Sequence, residues 1–273
     1  MLKFTLNTLG APGWTLEETA RNARAYGYAG VDLRLIDGQV ISLDVVRANR
    51  ERLRALFPPA DLPIPVLATS VRLATPDPAA RRGSRDEVAH WIDLAADLGV
   101  PVIRVFGGVL PEALDLDAAI QVVAESLAWI APRAEAAGVA VGLETHDDFS
   151  SARSLARVIA QVASRGVGAV WDMFHTARMG EAPAEVLGLV GERLLNVHLK
   201  DARRAGDTWE LVLLGDGELP VKEALRLLEQ RGYDGFVSVE WEKKWHPELA
   251  EPEVAFPHHL RVLHTYMSQL DAP

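Results

Sequence analysis

The sequence predicts an α/β protein folded as a closed (β/α)8 barrel. Three observations carry that expectation: eight apolar, strand-like runs spread over 273 residues, helical patterns between them, and no break in composition.

The runs are Leu2 to Leu9, Gly30 to Leu35, Ile64 to Val71, Val100 to Phe106, Val139 to Glu144, Val167 to Asp172, Leu194 to Leu199 and Phe236 to Glu240. Each is rich in Val, Ile, Leu or Phe, the composition of a parallel strand buried on both faces. Between them, apolar residues recur at three- and four-residue spacing, as in Val88, Trp91, Ile92, Ala95 and Leu98, or Leu155, Val158, Ile159 and Val162. Thr15 with Glu18 and Ser84 with Glu87 have the spacing of a reciprocal helix cap. Gly27, Gly99, Gly138 and Gly166 each precede a strand, where a helix is expected to stop in a left-handed turn. The Pro-rich pieces Phe57 to Pro65 and Thr75 to Pro78 are short and flank one strand, so residues 1–273 are read as a single barrel domain. No GxGxxG or GxxxxGK turn follows the first run, which removes the main support for a nucleotide-binding sheet.

Charge and composition narrow the chemistry. Twenty-eight Lys and Arg against 38 Asp and Glu leave a net charge of −10, which repels phosphate backbones and anionic lipid. Nucleic acid and membrane are therefore not expected partners. With no cysteine, disulfides and thiolate ligands are excluded and any metal must be held by nitrogen and oxygen. The start, MLKFTLNTLGAPGW, lacks a secretory pattern and no run approaches the roughly 18 apolar residues that span a bilayer, so a cytoplasmic location is expected.

In a barrel of this kind the functional residues project from the carboxyl ends of the strands. The last four runs end in Glu144-Thr-His146, Asp172-Met-Phe-His175, His198-Leu-Lys200-Asp201 and Glu240-Trp-Glu242. Glu144, Asp172, His198 and Glu240 make a hard donor set suited to one Mn²⁺, Mg²⁺, Co²⁺ or Zn²⁺. Any one of these acids alone is explained equally well by an arginine partner or a helix cap. Four strands agreeing is harder to explain, because an ionised group inside a barrel must be paired or ligated.

Strand alternation places His146 on the side of Glu144 and Lys200 on the side of His198, within reach of a substrate. For His146 the alternative is a supporting hydrogen bond; for Lys200 it is a salt bridge to Asp201 or Glu242. Lys200 could also serve as an acid toward a leaving hydroxyl. Asp32, Arg34 and Arg104 interrupt apolar strands and are expected to line the interior, as an internal ion pair in preference to a site for a substrate carboxylate or phosphate. Trp14, Phe106, Trp209, Trp241 and Trp245 could present flat faces to a sugar, although barrel tryptophans more often pack helices on strands. The segment Glu242 to Glu253 is expected to be a solvated loop in preference to a cover over the site or an oligomer contact.

The motifs GLETH (Glu144), WDMFH (Asp172, His175), NVHLKDARR (His198, Arg203, Arg204), LLGDGELP and GYDGFVSVEWE (Glu240) give a resemblance that covers essentially the whole chain. The sequence resembles the xylose isomerase-like barrels, a group that includes tagatose 3-epimerase, hydroxypyruvate isomerase, inosose dehydratase and 3-dehydroshikimate dehydratase. The resemblance implies that Glu144, Asp172, His198 and Glu240 hold the metal. It also implies that Glu144 and Glu240 act as acid and base from opposite faces of a small polyhydroxy carbonyl substrate. The chemistry so implied is isomerisation or epimerisation of a sugar or sugar phosphate through a metal-bound ene-diolate. His175 and Arg204 match substrate-binding positions, with Arg203 a possible substitute for Arg204. The alternative is a dehydratase of a keto-polyol, which shares every ligand. An endonuclease IV-type barrel is related in fold, but it needs more histidines and a basic face, and the first four strand ends carry no histidine. Homo-oligomerisation is left open.

Overall fold

The structure, a computed structural model, describes residues 1–58 and 60–270. The first barrel strand, β1 (Lys3–Asn7), stops two residues before its apolar run does. The side chain of Asn7 accepts from the amide of Leu9 at 3.0 Å and starts a 3-10 turn at Thr8–Gly10. The helix α1 (Leu16–Tyr26) opens with the expected Thr15–Glu18 reciprocal cap and closes at Gly27 with φ 92°. Next come β2 (Gly30–Asp32), a small antiparallel hairpin of β3 (Leu35–Ile36) and β4 (Gln39–Val40), and the short helices α2 (Leu43–Ala48) and α3 (Arg50–Leu56).

From there strand and helix alternate: β5 (Val66–Arg72), α4 (Pro78–Leu98), β6 (Val102–Phe106), α5 (Leu116–Ala137), β7 (Ala140–Glu144) and α6 (Ala152–Ile159). The strand β8 (Val167–Asp172) passes directly into α7 (Met173–Arg178), followed by α8 (Pro183–Val190) and β9 (Leu194–Leu199). A second hairpin, β10 (Asp201–Ala205) with β11 (Thr208–Val212), precedes α9 (Val221–Gln230), β12 (Phe236–Val239) and α10 (Pro252–Leu270).

Eight strands pair in parallel in the order β2-β1-β12-β9-β8-β7-β6-β5. A parallel bridge between Leu33 and Leu67, with Leu33 N–H donating to Val66 O and Ala68 N–H to Leu33 O, joins the two ends of that sheet and closes the barrel. The strands are buried almost throughout, as their uninterrupted apolar composition requires. Trp91 on α4, Trp171 on β8 and Trp241 after β12 are among the largest fully enclosed side chains. Each indole removes roughly 200 Å² from water, a gross stabilisation of about 5 kcal/mol before the entropy of ordering is counted.

Two helix boundaries differ from expectation. The helix α4 starts at Pro78, with Asp77 accepting from Ala80 N–H at 2.6 Å, so Ser84 and Glu87 lie inside it. Proline at the first helical position, next to an aspartate cap, is the stronger start signal. Gly166 does not end a helix either, since α6 stops at Ile159 and Gly166 has no positive φ. Gly99 and Gly138 do cap their helices in the left-handed region, with φ 70° and 66°.

The segment after β12 is pinned rather than freely solvated. Lys243 Nζ donates to the carbonyls of Pro247 and Leu249, each at 2.6 Å, and pairs with Glu251. Trp241 donates to Ala250 O at 2.9 Å, and Trp14 donates to Glu253 at 2.6 Å. Both indoles therefore serve packing and anchoring. Among the described residues no helix is long and apolar enough to cross a membrane.

Candidate metal centre and substrate cleft

The carboxyl ends of β7, β8, β9 and β12 bring Glu144, Asp172, His198 and Glu240 together. One donor atom from each lies within 4.8 Å of all the others, and all four residues are buried. Strand register explains the convergence, because Asp172 sits opposite His198, and Ser238 sits opposite His198 two residues before Glu240. Thr145 locks the β7 and β8 ends at this level by accepting from Asp172 N–H at 2.8 Å. Asp172 Oδ1 accepts the amides of Phe174 and His175, so the same carboxylate caps α7 and sets His175 one turn above itself.

Cations hold the acids in place. Arg104 Nη1 donates to Glu144 Oε2 at 2.7 Å while its guanidinium stacks on Phe106 at 3.9 Å. Lys200 Nζ donates to Asp172 Oδ2 at 2.7 Å, Glu240 Oε2 at 2.5 Å and Glu242 Oε1 at 2.6 Å. Asn7 Nδ2 donates to Glu240 Oε1 at 3.3 Å from beneath. Lys200 thus pairs with Glu242, as one reading of the sequence had it. Asp201 instead accepts the amides of Ala202, Gly215, Gly217 and Leu219.

Burial disfavours the charged form of Glu144, but Arg104 and His198 outweigh it and hold the carboxyl below the usual range. For Glu240 the same opposition is won by His198 and Lys200. Asp172 goes the other way, burial lifting it despite Lys200. Burial opposes a charged His198, yet Glu240 and Glu144 together raise its imidazole well above its ordinary value.

Two features test whether these residues fit a metal. First, His198 Nδ1 lies 2.7 Å from Glu144 Oε1 and 3.2 Å from Glu240 Oε1, yet neither of its ring nitrogens makes a directed hydrogen bond. Donor atoms on an octahedral ion with bonds of about 2.1 Å stand roughly 3 Å apart, close to the separation of His198 Nδ1 from each glutamate oxygen. Second, among the described residues Arg104 and Lys200 are the lysine or arginine side chains within salt-bridge distance of the carboxylates of Glu144, Asp172, Glu240 and Glu242, leaving two negative charges without a contacting cation when His198 is neutral. A divalent cation balances that excess, so the residues fit one.

Above the cluster opens a cleft of about 1050 Å³, lined in part by His146, His175, Phe174, Trp209 and Glu242. His146 and His175 stand edge to face at 4.5 Å, and His146 also contacts the ring of Phe106 at 4.6 Å. His146 Nδ1 is 3.0 Å from Asp147, a residue in the left-handed region with φ 49°. Burial, followed by the charge of Lys200, pushes His175 down to about 3, so it is neutral at physiological pH.

The hairpin β10–β11 forms one wall of this cleft, and the segment after β12 supplies His246, Glu248 and Leu249 to another. The hairpin wall is not apparent from the sequence pattern, whereas the second wall comes from the segment for which a cover over the site was the alternative to a solvated loop. On the hairpin, Arg203 lines the cleft while pairing with Glu210 at 3.2 Å; Arg204 is exposed, with its guanidinium 5.0 Å from the Trp209 ring. Of the five aromatic candidates only Trp209 faces the cleft, and Trp245 is half exposed.

Of the three charged residues expected inside the barrel, Arg104 does enter an internal ion pair, with Glu144, whereas Asp32 and Arg34 do not pair with each other among the described residues. Asp32 accepts instead from Thr5 Oγ1 at 3.1 Å and Asn196 Nδ2 at 3.0 Å, and Arg34 turns to Ala68 O and Ser70 Oγ. The two side chains share a strand face but neutral donors satisfy the acid first, because the adjacent strand β1 and, from across the interior, β9 bring them to the same level.

A closed parallel barrel with three carboxylates and an imidazole gathered at its carboxyl rim defines a class of barrel with a candidate metal site. The chain belongs to the Xylose isomerase-like TIM barrel family, whose sequence model matches residues 20–266. It is 22% identical to a fructoselysine 3-epimerase of Shigella flexneri over 249 residues, 88% of this chain and 90% of that one. The IolI protein, solved with a bound zinc atom, superposes with a TM-score of 0.78 at 17% identity, covering 98% of both chains. AsbF of Bacillus anthracis, described as a probable 3-DHS dehydratase, gives 0.76 at 16% identity, covering 96% of this chain and 99% of that one. At these identities the two solved structures share the fold.

Proposed function

We propose that this protein is a divalent-metal-dependent isomerase or epimerase of a sugar or sugar phosphate, with Glu144 and Glu240 exchanging the proton next to the substrate carbonyl. The observation that carries this reading is the pair of glutamates flanking one imidazole, at 2.7 and 3.2 Å, with both carboxyls held ionised at neutral pH by neighbouring cations. The sugar epimerase among the relatives supports it.

Glu144, Asp172, His198 and Glu240 would hold the metal. When bound, it supplies Lewis-acid stabilisation to the negative charge that develops on the substrate oxygens. The protein's own groups do the rest. With a carboxylate on each side of the reacting carbon, one ionised glutamate takes the proton, and the other, once it has picked up a proton from solvent, returns one on the opposite face; this inverts that centre, and exchange with solvent resets both groups. Arg104 keeps Glu144 oriented from behind, and Lys200 does the same for Glu240 and Asp172. Neutral His175, and His146 beside it, can each donate a hydrogen bond to a substrate hydroxyl at the cleft floor. Arg203 and Trp209 face the outer part of the substrate, and Arg204 lies one position away on the same hairpin.

A dehydratase uses the same ligands and differs in having an acid over the leaving hydroxyl. Lys200 is the candidate that the sequence offers, and its three carboxylate partners stabilise its charged form, which disfavours giving up the proton. Isomerisation or epimerisation is therefore preferred. A DNA-repair activity would require a basic face, at odds with a net charge of −10.

The test is ¹H NMR in D₂O of protein reconstituted with Mn²⁺, then exchanged to Mg²⁺ for recording, against ketoses, ketose phosphates, inososes and 3-dehydroshikimate. Deuterium entering the carbon next to the carbonyl with a new isomer or epimer, lost in Glu240→Gln, is the expected outcome. Elimination of water would assign the dehydratase reaction, and unchanged turnover by Glu240→Gln would refute the proposed roles.

A further inference from the structure

Four lysine or arginine side chains are buried among the described residues: Arg34, Arg104, Lys200 and Lys243. Three of them are neutralised, Arg104 by Glu144, Lys200 by three carboxylates and Lys243 by Glu251. Among the described residues Arg34 has no acid within salt-bridge distance; Glu144 and Glu240 act on it only at longer range. Its Nη1 donates to Ala68 O at 3.0 Å and Ser70 Oγ at 2.7 Å, both neutral acceptors, and its residue exposure is 9%. A buried guanidinium without a counter-ion is costly, so a position that keeps one unpaired needs another explanation than stability.

Its placement supplies one. Asp32 is level with Asn7 in the β1–β2 register, and Asn7 touches Glu240. Arg34 stands two residues beyond Asp32, toward the carboxyl rim, and its Nη1 bridges to Ala68 and Ser70 on β5. The metal cluster occupies the ends of β7, β8, β9 and β12, so Arg34 sits across the mouth from it, on the β2–β5 side. Among the described residues Arg34 Nε and Nη2 make no hydrogen bond and are not sealed from solvent, and Glu144 and Glu240 act on the guanidinium at longer range, which puts it near the cluster. Burial and the nearby charge of Arg104 lower Arg34 to about 10, which leaves it charged at neutral pH.

We propose that Arg34 is the seat for a terminal anionic group, a phosphate or carboxylate, on the substrate, so that the natural substrate is an acidic polyhydroxy carbonyl compound rather than a neutral sugar. This rests on the sugar-site reading above. The planar fork of the guanidinium accepts two oxygens of either group, and a charge-assisted pair formed out of bulk water is stronger than a neutral hydrogen bond. The anion gains a partner, and the buried arginine gains a counter-ion in direct contact. With the carbonyl end over Glu144 and Glu240 and the anionic end at Arg34, the substrate would span the mouth of the barrel.

The experiment is calorimetric titration of the Mn²⁺-loaded protein with ribitol, ribitol 5-phosphate and gluconate, for wild type, Arg34→Gln and Arg34→Lys. Manganese affinity and circular dichroism of each variant are measured alongside. Wild type is expected to bind at least one of the charged probes about tenfold or more tightly than ribitol. Arg34→Gln is expected to erase that preference while manganese affinity stays unchanged, and Arg34→Lys to retain part of it. Preference for ribitol 5-phosphate assigns a phosphate, and preference for gluconate assigns a carboxylate. Equal binding of charged and neutral probes, or a preference that survives in Arg34→Gln, overturns the proposal and leaves the sugar-site reading standing. Binding of none of the three probes overturns both.

Discussion

Lys200 offers the sharpest perturbation, because one ammonium with 2% residue exposure contacts Asp172, Glu240 and Glu242 at 2.7, 2.5 and 2.6 Å. In Lys200→Met the side-chain volume is nearly kept, so little cavity term is expected. What is lost is the counter-ion of two fully buried carboxylates; Glu242 is 20% exposed and is partly screened by water. Breaking a buried pair from one side costs about 3–5 kcal/mol. At roughly 2–4 °C per kcal/mol for a chain of this size, the melting temperature of the metal-free variant should fall by about 6–20 °C. A divalent cation supplies the missing positive charge, so Mn²⁺ should raise the melting temperature of Lys200→Met by more than it raises that of the wild type. Differential scanning calorimetry of both proteins, with and without Mn²⁺, measures this. A metal-free variant melting within a degree or two of wild type, or rescued less by the metal, would refute the charge balance argued for the site.

Two further outcomes follow from the same physics. In Arg104→Met, Glu144 loses the 2.7 Å partner that orients it, and manganese affinity measured by titration should drop about 10–100-fold, the usual effect of removing a group that supports a ligand. His259 is enclosed, accepts from Leu214 N–H at 3.3 Å, and is pushed down to about 3 chiefly by burial. Its folded value thus lies below the unfolded value near 6.5, and the unfolded chain takes up the proton first. The stability it contributes is complete above about pH 6.5 and is lost as pH falls toward 3, at up to about 1.4 kcal/mol per pH unit. His259→Gln should flatten that part of the stability–pH curve in urea titrations relative to wild type; parallel curves would contradict it.

The barrel was legible because parallel strands buried on both faces write themselves as uninterrupted apolar runs, and all eight runs overlap barrel strands. The four acidic and imidazole strand ends were legible for a related reason: ionisable residues stand out where apolar residues are expected. Their convergence could be read from strand order, but the cations that hold them could not. Arg104 comes from β6, the strand before that of Glu144, and Lys200 reaches Asp172 and Glu240 across strand neighbours that no local spacing encodes. The hairpin of β10 and β11 was missed because KDARRAGDTWELV follows a strand end directly and its Gly206 turn was absorbed into a loop. That hairpin is what turns Arg203 toward the cleft and sets Arg204 on Trp209. Asp32 and Arg34 share a face, as alternation predicts, yet do not pair, since partner choice depends on what neighbouring strands place at the same height. Ser84 with Glu87 matched a cap pattern that the Asp77–Pro78 start overrode six residues earlier.

The central claim is that Glu144, Asp172, His198 and Glu240 hold one divalent cation. Crystals grown with Mn²⁺ and measured near the manganese absorption edge test it most directly. The account predicts one anomalous peak per chain, within coordination distance of all four residues and absent in Asp172→Asn. A peak elsewhere, or none at saturating manganese, would contradict it.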